Sequence, residues 1–213
     1  MQSSNSAILV NHSPAEPIAK LVFAHGAGAP MDTPFMNHLA EGLAAAGIMV
    51  LRFEFPYMAQ RRKDGKNRPP NVKKVLVEHF LATVDASTCQ LPLFLAGKSM
   101  GGRIATLISD QAEVSGIMCF GYPFHPPGKP TNLRTEHLFE LATPCLILQG
   151  ERDPFGNTAE VASYSLPQTI SVKWLPDGDH DFKPRKKSGI TWEENLQSAV
   201  SKSHSFILAH LPR

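Results

Sequence analysis

Short apolar runs alternate with amphipathic stretches along most of the chain, a pattern typical of βαβ units around a parallel sheet. Runs such as LVFA, LFLA and CLIL contain no alternating polar residues, as expected for strands that helices cover on both faces. The predicted strands cover residues 19–25, 48–55, 91–96, 114–120, 146–149 and 170–175, with an edge strand over 7–10. The predicted helices cover residues 34–47, 72–85, 100–111, 158–164 and 191–209. The pattern therefore predicts an α/β fold with a mostly parallel central sheet and helices on both faces.

The composition agrees with a single globular domain over residues 1–213. Hydrophobic residues make up 42% of the chain and charged residues 19%, and no apolar run reaches the roughly 18 residues that a membrane span needs. The first six residues lack the basic start and apolar stretch of a secretion signal. The three cysteines lie in or beside apolar runs, and no Cys/His spacing suggests a metal site. We therefore expect reduced, buried thiols in a cytoplasmic protein that holds neither a metal nor another cofactor.

Candidate chemistry begins in the segment LFLAGKSMGG, residues 93–102, where G-x-S-x-G lies between a predicted strand and a predicted helix. In such a nucleophile elbow the serine occupies a strained turn, and glycines two residues away on either side avoid collisions with strand and helix. The bare motif is weak evidence, since about one chain in fifteen of this length carries it by chance. Its position between strand and helix indicates that Ser99 is the nucleophile of a serine hydrolase.

A phosphate-binding loop is the competing interpretation, because Gly97-Lys98-Ser99 also matches the end of G-x-x-x-x-G-K-[ST]. That motif requires glycine at position 92, where this chain has Pro92, and the intervening residues are apolar and strand-like. The nucleotide-binding interpretation is therefore rejected.

A serine hydroxyl needs a general base, and in this arrangement a carboxylate and then a histidine follow the serine at strand ends. His180 follows the last predicted strand and precedes the last helix, so we predict that it is the base. Asp153, after the preceding strand, is the predicted orienting carboxylate, with Glu151 as the alternative. His125 and His137 follow the fourth core strand and stay open as substrate contacts.

Small residues follow the first core strand in the segment AHGAGAP, residues 24–30. They let the backbone approach a substrate, so the amides of Ala27 and Met100 are the predicted oxyanion-hole donors. His25 looks catalytic in isolation, but it precedes the serine and lies at a strand end. We interpret it as a residue that holds this loop by hydrogen bonds.

These features, in this order, resemble the α/β-hydrolase superfamily across nearly the whole chain. A narrower resemblance, to one small branch, is carried by the segments RFEFPYM (52–58), RPP (68–70), GKSMGGR (97–103) and GDHDF (178–182). That branch contains proteins related to dienelactone hydrolase, to the testis-expressed hydrolase-like protein and to a subunit of a histone acetyltransferase complex. The resemblance implies a capless α/β-hydrolase fold and a Ser99–Asp153–His180 triad. Dienelactone hydrolases have cysteine at the nucleophile position, so the presence of Ser99 means that their substrate is not carried over.

The formal net charge of +2 is unevenly distributed. Seven basic residues lie between positions 61 and 74, mostly in a stretch (56–71) predicted to be a proline-bearing loop, and a second cluster covers 183–187. Because both stretches follow strands, we expect them at the same sheet edge as Ser99. The predicted substrate rim, which would attract an anionic substrate, consists of Tyr57, Arg61, Arg62, Arg68 and Lys183. No recognised nucleic-acid-binding module accompanies these residues, so we expect no nucleic-acid partner.

The sequence thus predicts a serine hydrolase of the carboxylesterase or thioesterase type. Its expected partner is a small-molecule ester or thioester, which it would cleave through an acyl-enzyme. Two alternatives stay open at this point. One is a binding or scaffold protein that keeps the hydrolase fold without turnover. The other is an acyltransferase, in which an acceptor other than water attacks the acyl-enzyme.

Overall fold

The computed structural model describes residues 8–212, which form one seven-stranded sheet in the order β1-β3-β2-β4-β5-β6-β7. The strands are β1 (Ile8–Asn11), β2 (Ala19–Ala24), β3 (Ile48–Phe53), β4 (Leu93–Lys98), β5 (Gly116–Phe120), β6 (Cys145–Gly150) and β7 (Ile170–Leu175). β1 pairs antiparallel with β3, and the other neighbouring strands are parallel. The mostly parallel sheet is therefore confirmed. Ala7, where the edge strand was predicted to begin, and the first six residues lie outside the described residues.

Helices cover both faces of the sheet. They are α1 (Pro34–Ala45), α2 (Pro56–Asp64), α3 (Lys73–Asp85), α4 (Met100–Ile108), α5 (Thr158–Val161) and α6 (Trp192–Ala209). α1 and α6 pack together over one face, and α3 and α4 pack over the other. Val22 and Phe23, neighbours on β2, belong to the cores on opposite faces, which explains why the strands are apolar throughout. Between residues 8 and 212, no helix has the length and apolar character needed to cross a membrane.

The prediction of a loop over residues 56–71 is wrong for its first part, which forms α2. Pro56 occupies the first turn, where its fixed φ suits a helix and its missing N–H costs no hydrogen bond. Three basic residues lie in the last turn, where positive charge favours the negative end of the helix dipole. Gly65 then ends the helix in the left-handed conformation, with a φ of 69°.

The cysteines differ from the prediction at one position. Cys119 and Cys145 are buried free thiols, as expected, whereas Cys89 is exposed. Cys89 lies in the connection between α3 and β4, outside the sheet. Cys89 is exposed because the buried apolar residues beside it begin only with β4, after the connection in which Cys89 lies.

The segment between β5 and β6 is the stretch in which a cap could have been inserted. It covers residues 121–144 and contains a single 3-10 helix, Glu136–Glu140. Over residues 8–212 the chain therefore has no cap domain, and the carboxyl edge of the sheet is bordered only by the loops and short helices that connect the strands, α2 among them.

Candidate active site

Ser99 lies on a sharp turn between the end of β4 and the start of α4. Its φ of 50° and ψ of −113° are sparsely populated for a residue with a side chain. A Cβ at Gly97 would come within 2.0 Å of the backbone of Gly101, and a Cβ at Gly101 would come within 2.6 Å of the His25 carbonyl. Both glycines of the motif are therefore required by close backbone contacts. The turn places Ser99 in the wall of a cleft at the carboxyl edge of the sheet.

Backbone hydrogen bonds fix this turn. The Ser99 amide donates to the Phe120 carbonyl at 3.0 Å, and the Ser99 carbonyl accepts from the Arg103 amide at 3.1 Å. Met100 is the first residue of α4, so its amide has no acceptor within the helix and lies at the positive end of the dipole. This arrangement supports Met100 as one oxyanion donor.

The His180 imidazole and the Asp153 carboxylate are joined by a hydrogen bond of 2.8 Å between Nδ1 and Oδ2. Asp153 is fully buried, and its Oδ1 accepts from the Phe155 amide at 2.8 Å. Because a carboxylate only accepts, Nδ1 of His180 carries the proton and Nε2 is the accepting nitrogen. A general base beside a serine needs this tautomer. His180 and Ser99 line the same cleft.

Two residues that sequence reasoning missed complete this arrangement. Gln149 is buried at the end of β6, where its Nε2 donates to Asp153 Oδ2 at 3.0 Å and its Oε1 accepts from the Tyr122 amide at 2.7 Å. The Phe155 ring lies 4.2 Å from the His180 ring, with an interplanar angle of 33°. A polar residue inside the apolar run CLILQG was a signal for Gln149, whereas nothing in the sequence marks Phe155.

The alternative candidates lie elsewhere. Glu151 is exposed, and its Oε2 accepts from the Asp177 amide at 2.8 Å. His125 is buried beside Glu160, and His137 Nε2 bonds the hydroxyl of Thr106 at 2.9 Å. In the described part of the chain, none of these three candidates lines the cleft that holds Ser99. The structure therefore favours Asp153 over Glu151.

The Ala27 amide is oriented through the carbonyl that precedes it. The Gly26 carbonyl accepts from His25 Nδ1 at 2.6 Å and from the Tyr57 hydroxyl at 3.3 Å. Since C=O and N–H point in opposite directions across a trans peptide, the Ala27 N–H is turned away from these donors. Gly26 and Ala27 both line the cleft. This geometry supports Ala27 as the second oxyanion donor.

Tyr57 supports the same loop, which corrects its predicted place on the substrate rim. The side chain is buried, because α2 packs its first turn against the sheet core. Its single hydroxyl proton is shared between the Ala27 carbonyl, at 2.9 Å, and the Gly26 carbonyl, at 3.3 Å. Burial raises the pKa of Tyr57, so the hydroxyl keeps its proton and stays a donor.

His25 holds the loop by hydrogen bonds at both ring nitrogens, which confirms the interpretation made from the sequence. Nδ1 donates to the Gly26 carbonyl, and Nε2 accepts from the Phe55 amide at 3.1 Å. This pairing requires a neutral ring. Burial lowers the pKa of His25 to about 4, which keeps the ring neutral at neutral pH.

The neutral His25 makes stability depend on pH. The unfolded chain protonates His25 near the ordinary pKa of 6.5, whereas the folded protein does so only near 4. Between these values the unfolded state binds more protons, so the free energy of unfolding decreases as the pH falls from 6.5 towards 4. Urea denaturation at about pH 7 and about pH 5 measures this decrease, and we expect His25 to contribute about 1–2 kcal/mol.

Variants separate this contribution from that of other groups. Burial also lowers the pKa of His137 to about 4, so part of the decrease is expected to persist without His25. His25→Gln should show a smaller decrease than the wild type. His12→Gln changes an exposed histidine and should leave the decrease unchanged. An equal decrease in His25→Gln and wild type would contradict the assignment.

The cleft in front of Ser99 has a volume of about 420 Å³. Its walls are mainly apolar and include Pro30, Phe35, Met36, Phe155 and Trp192. Lys183, from the predicted rim, also lines the cleft, and its Nζ lies 5.0 Å from the Trp192 ring centroid. Arg61, also from that rim, approaches the Gly28 carbonyl, with Nη1 at 3.5 Å.

Arg62 and Arg68 do not contribute uncompensated positive charge to the rim, because both are paired with carboxylates. Arg62 donates from Nε to the buried Glu54 at 3.0 Å and from Nη1 to Asp32 at 3.0 Å. Arg68 donates from Nη1 to Asp64 at 2.7 Å. Carboxylates compensate both guanidinium groups. Of the predicted basic rim, only Arg61 and Lys183 therefore remain as cations without such a carboxylate partner among the described residues.

A serine on a strand-to-helix elbow that shares a cleft with the histidine of a His–Asp pair, at the carboxyl edge of a parallel sheet, is the arrangement of an α/β hydrolase. The family model of the alpha/beta hydrolase domain matches residues 17–208, and the chain belongs to this family. The resemblance found in the sequence is thereby confirmed for the superfamily. Membership of the branch with the testis-expressed and histone-acetyltransferase-complex proteins stays a prediction.

Solved structures share the fold at low sequence identity. Est1E from Butyrivibrio proteoclasticus has a TM-score of 0.72 and 14% identity, covering 95% of this chain and 93% of that chain. A dienelactone hydrolase from Anabaena variabilis has a TM-score of 0.68 and 18% identity, covering 96% and 92%. A serine hydrolase without a lid from Xanthomonas campestris has a TM-score of 0.64 and 18% identity, covering 100% and 98%. All three share the overall fold of this chain, and the Xanthomonas protein, like residues 8–212 here, has no lid.

Proposed function

We propose that this protein is a serine hydrolase that cleaves a small ester or thioester through an acyl-enzyme on Ser99. One observation carries the proposal: the hydrogen bond of 2.8 Å between His180 and the buried Asp153 borders the cleft that the strained Ser99 also lines. A nucleophile, a base of the correct tautomer and a group that orients the base are the parts that acyl transfer requires.

The reaction proceeds in two halves. As Ser99 Oγ bonds to the substrate carbonyl carbon, its proton passes to Nε2 of His180, and the oxyanion accepts from the amides of Ala27 and Met100. The imidazolium, held by Asp153, then gives the proton to the leaving alkoxide or thiolate as the carbon–leaving-group bond breaks. In the second half, water loses a proton to His180 as its oxygen attacks the acyl carbon. The carboxylic acid leaves, and Ser99 Oγ takes the proton back.

The cleft supports a small substrate with an apolar acyl group. Its volume of about 420 Å³ is near the lower end of ordinary ligand pockets. Aromatic side chains, Phe35, Phe155 and Trp192, form much of the wall. We therefore propose aliphatic or aromatic acyl esters as the substrate class, with short chains favoured.

Covalent labelling tests the proposed function. The protein is treated with a fluorophosphonate probe, and mass spectrometry locates the modified residue. We expect the phosphonyl group on the peptide that contains Ser99, together with hydrolysis of p-nitrophenyl butyrate. A folded protein that neither reacts with the probe nor hydrolyses the ester would contradict the proposal and favour a scaffold.

An anionic substrate preference stays a proposal, and Lys183 is the residue on which it mainly rests. With an anionic acyl group, such as a p-nitrophenyl hemisuccinate, kcat/KM should fall by about threefold as salt rises from about 0.02 to about 0.5 M. The value for neutral p-nitrophenyl butyrate should change little. The physical reason is screening of the attraction between Lys183 and the carboxylate at the mouth of the cleft.

The charge-matched control is Lys187, which is exposed and does not line the cleft. Lys183→Gln should make the salt response of the anionic ester as weak as that of the neutral ester. Lys187→Gln should retain the wild-type response. Equal salt responses of both esters in the wild type would reject the anionic preference while leaving the hydrolase proposal intact.

A further inference from the structure

Lys98 is a buried cation directly before the nucleophile, and the reaction described above does not use it. The residue is 8% exposed. Its Nζ donates to the main-chain carbonyl of His180 at 2.6 Å and lies 3.4 Å from Asp181 Oδ1. On its other side the ammonium faces the ring of Phe35, 5.2 Å from the centroid. The side chain thus joins the elbow to the loop that carries the base.

Burial of an ammonium costs free energy unless partners compensate it. Burial lowers the pKa of Lys98, and the charges of Asp181, Asp153 and Asp179 oppose that effect. A methionine side chain could fill the same space without this cost. The charge of Lys98 therefore needs an explanation other than packing.

The loop between β7 and α6 is ordered within itself by Asp179. Its Oδ1 accepts from the amides of Asp181 at 2.8 Å and of Lys183 at 3.0 Å. These bonds shape the loop but do not connect it to β4, which leads into the turn that carries Ser99. The bond from Lys98 to the His180 carbonyl makes that connection.

We propose that Lys98 is a positioning residue that ties the His180 loop to the nucleophile elbow, while Asp181 cancels its charge beside the catalytic imidazole. The inference rests on the proposed function, because it assigns Lys98 a role relative to the base of that reaction. Lys98 would thus act in two separable ways. Its hydrogen bond to the His180 carbonyl holds the loop in place (the tie), and its ion pair with Asp181 balances the charge near the imidazole (the charge balance).

The charge balance follows from the groups around His180. Asp153 bonds Nδ1, Lys98 donates to the carbonyl, and Asp181 pairs with Lys98. Lys183 lines the same cleft as His180, and Asp179 precedes His180 in the loop with its Oδ1 bonded to main-chain amides. Loss of the Lys98 charge leaves Asp181 uncompensated, which favours the imidazolium. Loss of the Asp181 charge leaves the ammonium uncompensated, which disfavours it.

The test compares Lys98→Met, Asp181→Asn and the double variant by NMR titration of the His180 ring in a Ser99→Ala background. We expect the titration midpoint to rise by about half a pH unit in Lys98→Met and to fall by about half a unit in Asp181→Asn. The double variant should return to within about 0.2 units of the parent, because both charges are then absent. Lys187→Met removes a remote positive charge and should leave the midpoint unchanged.

Kinetics on the same variants with Ser99 present test the tie. Lys98→Met should lower kcat for p-nitrophenyl butyrate by about tenfold with KM changed less than about twofold, since the base is misplaced while the aromatic walls of the cleft, Phe155 and Trp192, are unchanged. The double variant should stay equally slow, because restoring the charge balance does not restore the tie. Recovery of kcat in the double variant would overturn the tie.

The two proposals fail in different ways. Midpoints that do not move, or that move in the same direction in both single variants, overturn the charge balance whether or not the protein is active. A wild-type protein that neither hydrolyses esters nor labels at Ser99 overturns the proposed hydrolase. Opposite midpoint shifts in that inactive protein would still support the placement of Lys98 beside His180.

Discussion

Replacing Ser99 by alanine is expected to reduce the hydrolysis of p-nitrophenyl butyrate by at least about a thousandfold and to abolish fluorophosphonate labelling. The methyl group cannot form the acyl-enzyme, while the oxyanion donors and the cleft stay in place. The fold should be retained, because the hydrogen bonds that hold the elbow to Phe120 and Arg103 come from the backbone of residue 99 and are kept in the alanine variant. Initial rates at saturating ester, together with circular dichroism, measure the outcome.

Ser201→Ala is the matched control for this experiment. Ser201 is exposed on α6 and does not line the cleft, so the same chemical change should leave both rate and labelling at wild-type values. Labelling that persists in Ser99→Ala would assign the nucleophile to another residue. Loss of both signals in Ser201→Ala would show that the assay reports folding rather than chemistry.

Asp153→Asn is expected to lower kcat by about 10³–10⁴-fold, the second large effect. Asp153 Oδ2 accepts from both His180 Nδ1 and Gln149 Nε2, at 2.8 and 3.0 Å. An asparagine that presents its NH₂ group to His180 forces the proton onto Nε2, so the ring can no longer accept from Ser99. The loss should appear in kcat with KM little changed, because Asp153 is buried outside the cleft.

Glu151→Gln tests the alternative carboxylate with the same chemical change. Because Glu151 is exposed and bonds the Asp177 amide, this variant should retain kcat within about twofold. High activity in Asp153→Asn combined with low activity in Glu151→Gln would move the orienting role to Glu151. A thermal melt of each variant distinguishes an altered reaction from an unfolded protein.

Local constraints explain what the sequence could predict. The strands were readable because helices cover both faces, which removes polar residues from the interior of each run. Ser99 was readable because the backbone of Gly97 and Gly101 touches neighbouring segments too closely for any side chain. The order of Asp153 and His180 along the chain followed from the topology, since each succeeds a parallel strand.

Contacts between distant segments explain what it could not predict. Tyr57 was expected to face a substrate, because residues 56–71 were predicted to form a loop at the sheet edge. The structure instead places Tyr57 in the first turn of α2, where its side chain is buried. The charge of Arg62 looked available, because its partner Asp32 lies on a distant segment that reaches it only in the folded chain. Arg68 differs, since its partner Asp64 is close in the sequence and that pair could have been anticipated. Lys98 lay in the motif, but its partner is far along the chain, at His180.

The candidate site is divided among the ends of four strands, with His25 after β2, Ser99 after β4, Asp153 after β6 and His180 after β7. Parallel strands pair only after long stretches of chain have been closed into loops, which makes such sheets slow to assemble. The last pairing, between β6 and β7, is also the one that brings His180 to Asp153. Because β7 is the last strand along the chain, a chain that ends before it would contain most of the sheet and Ser99 but lack His180.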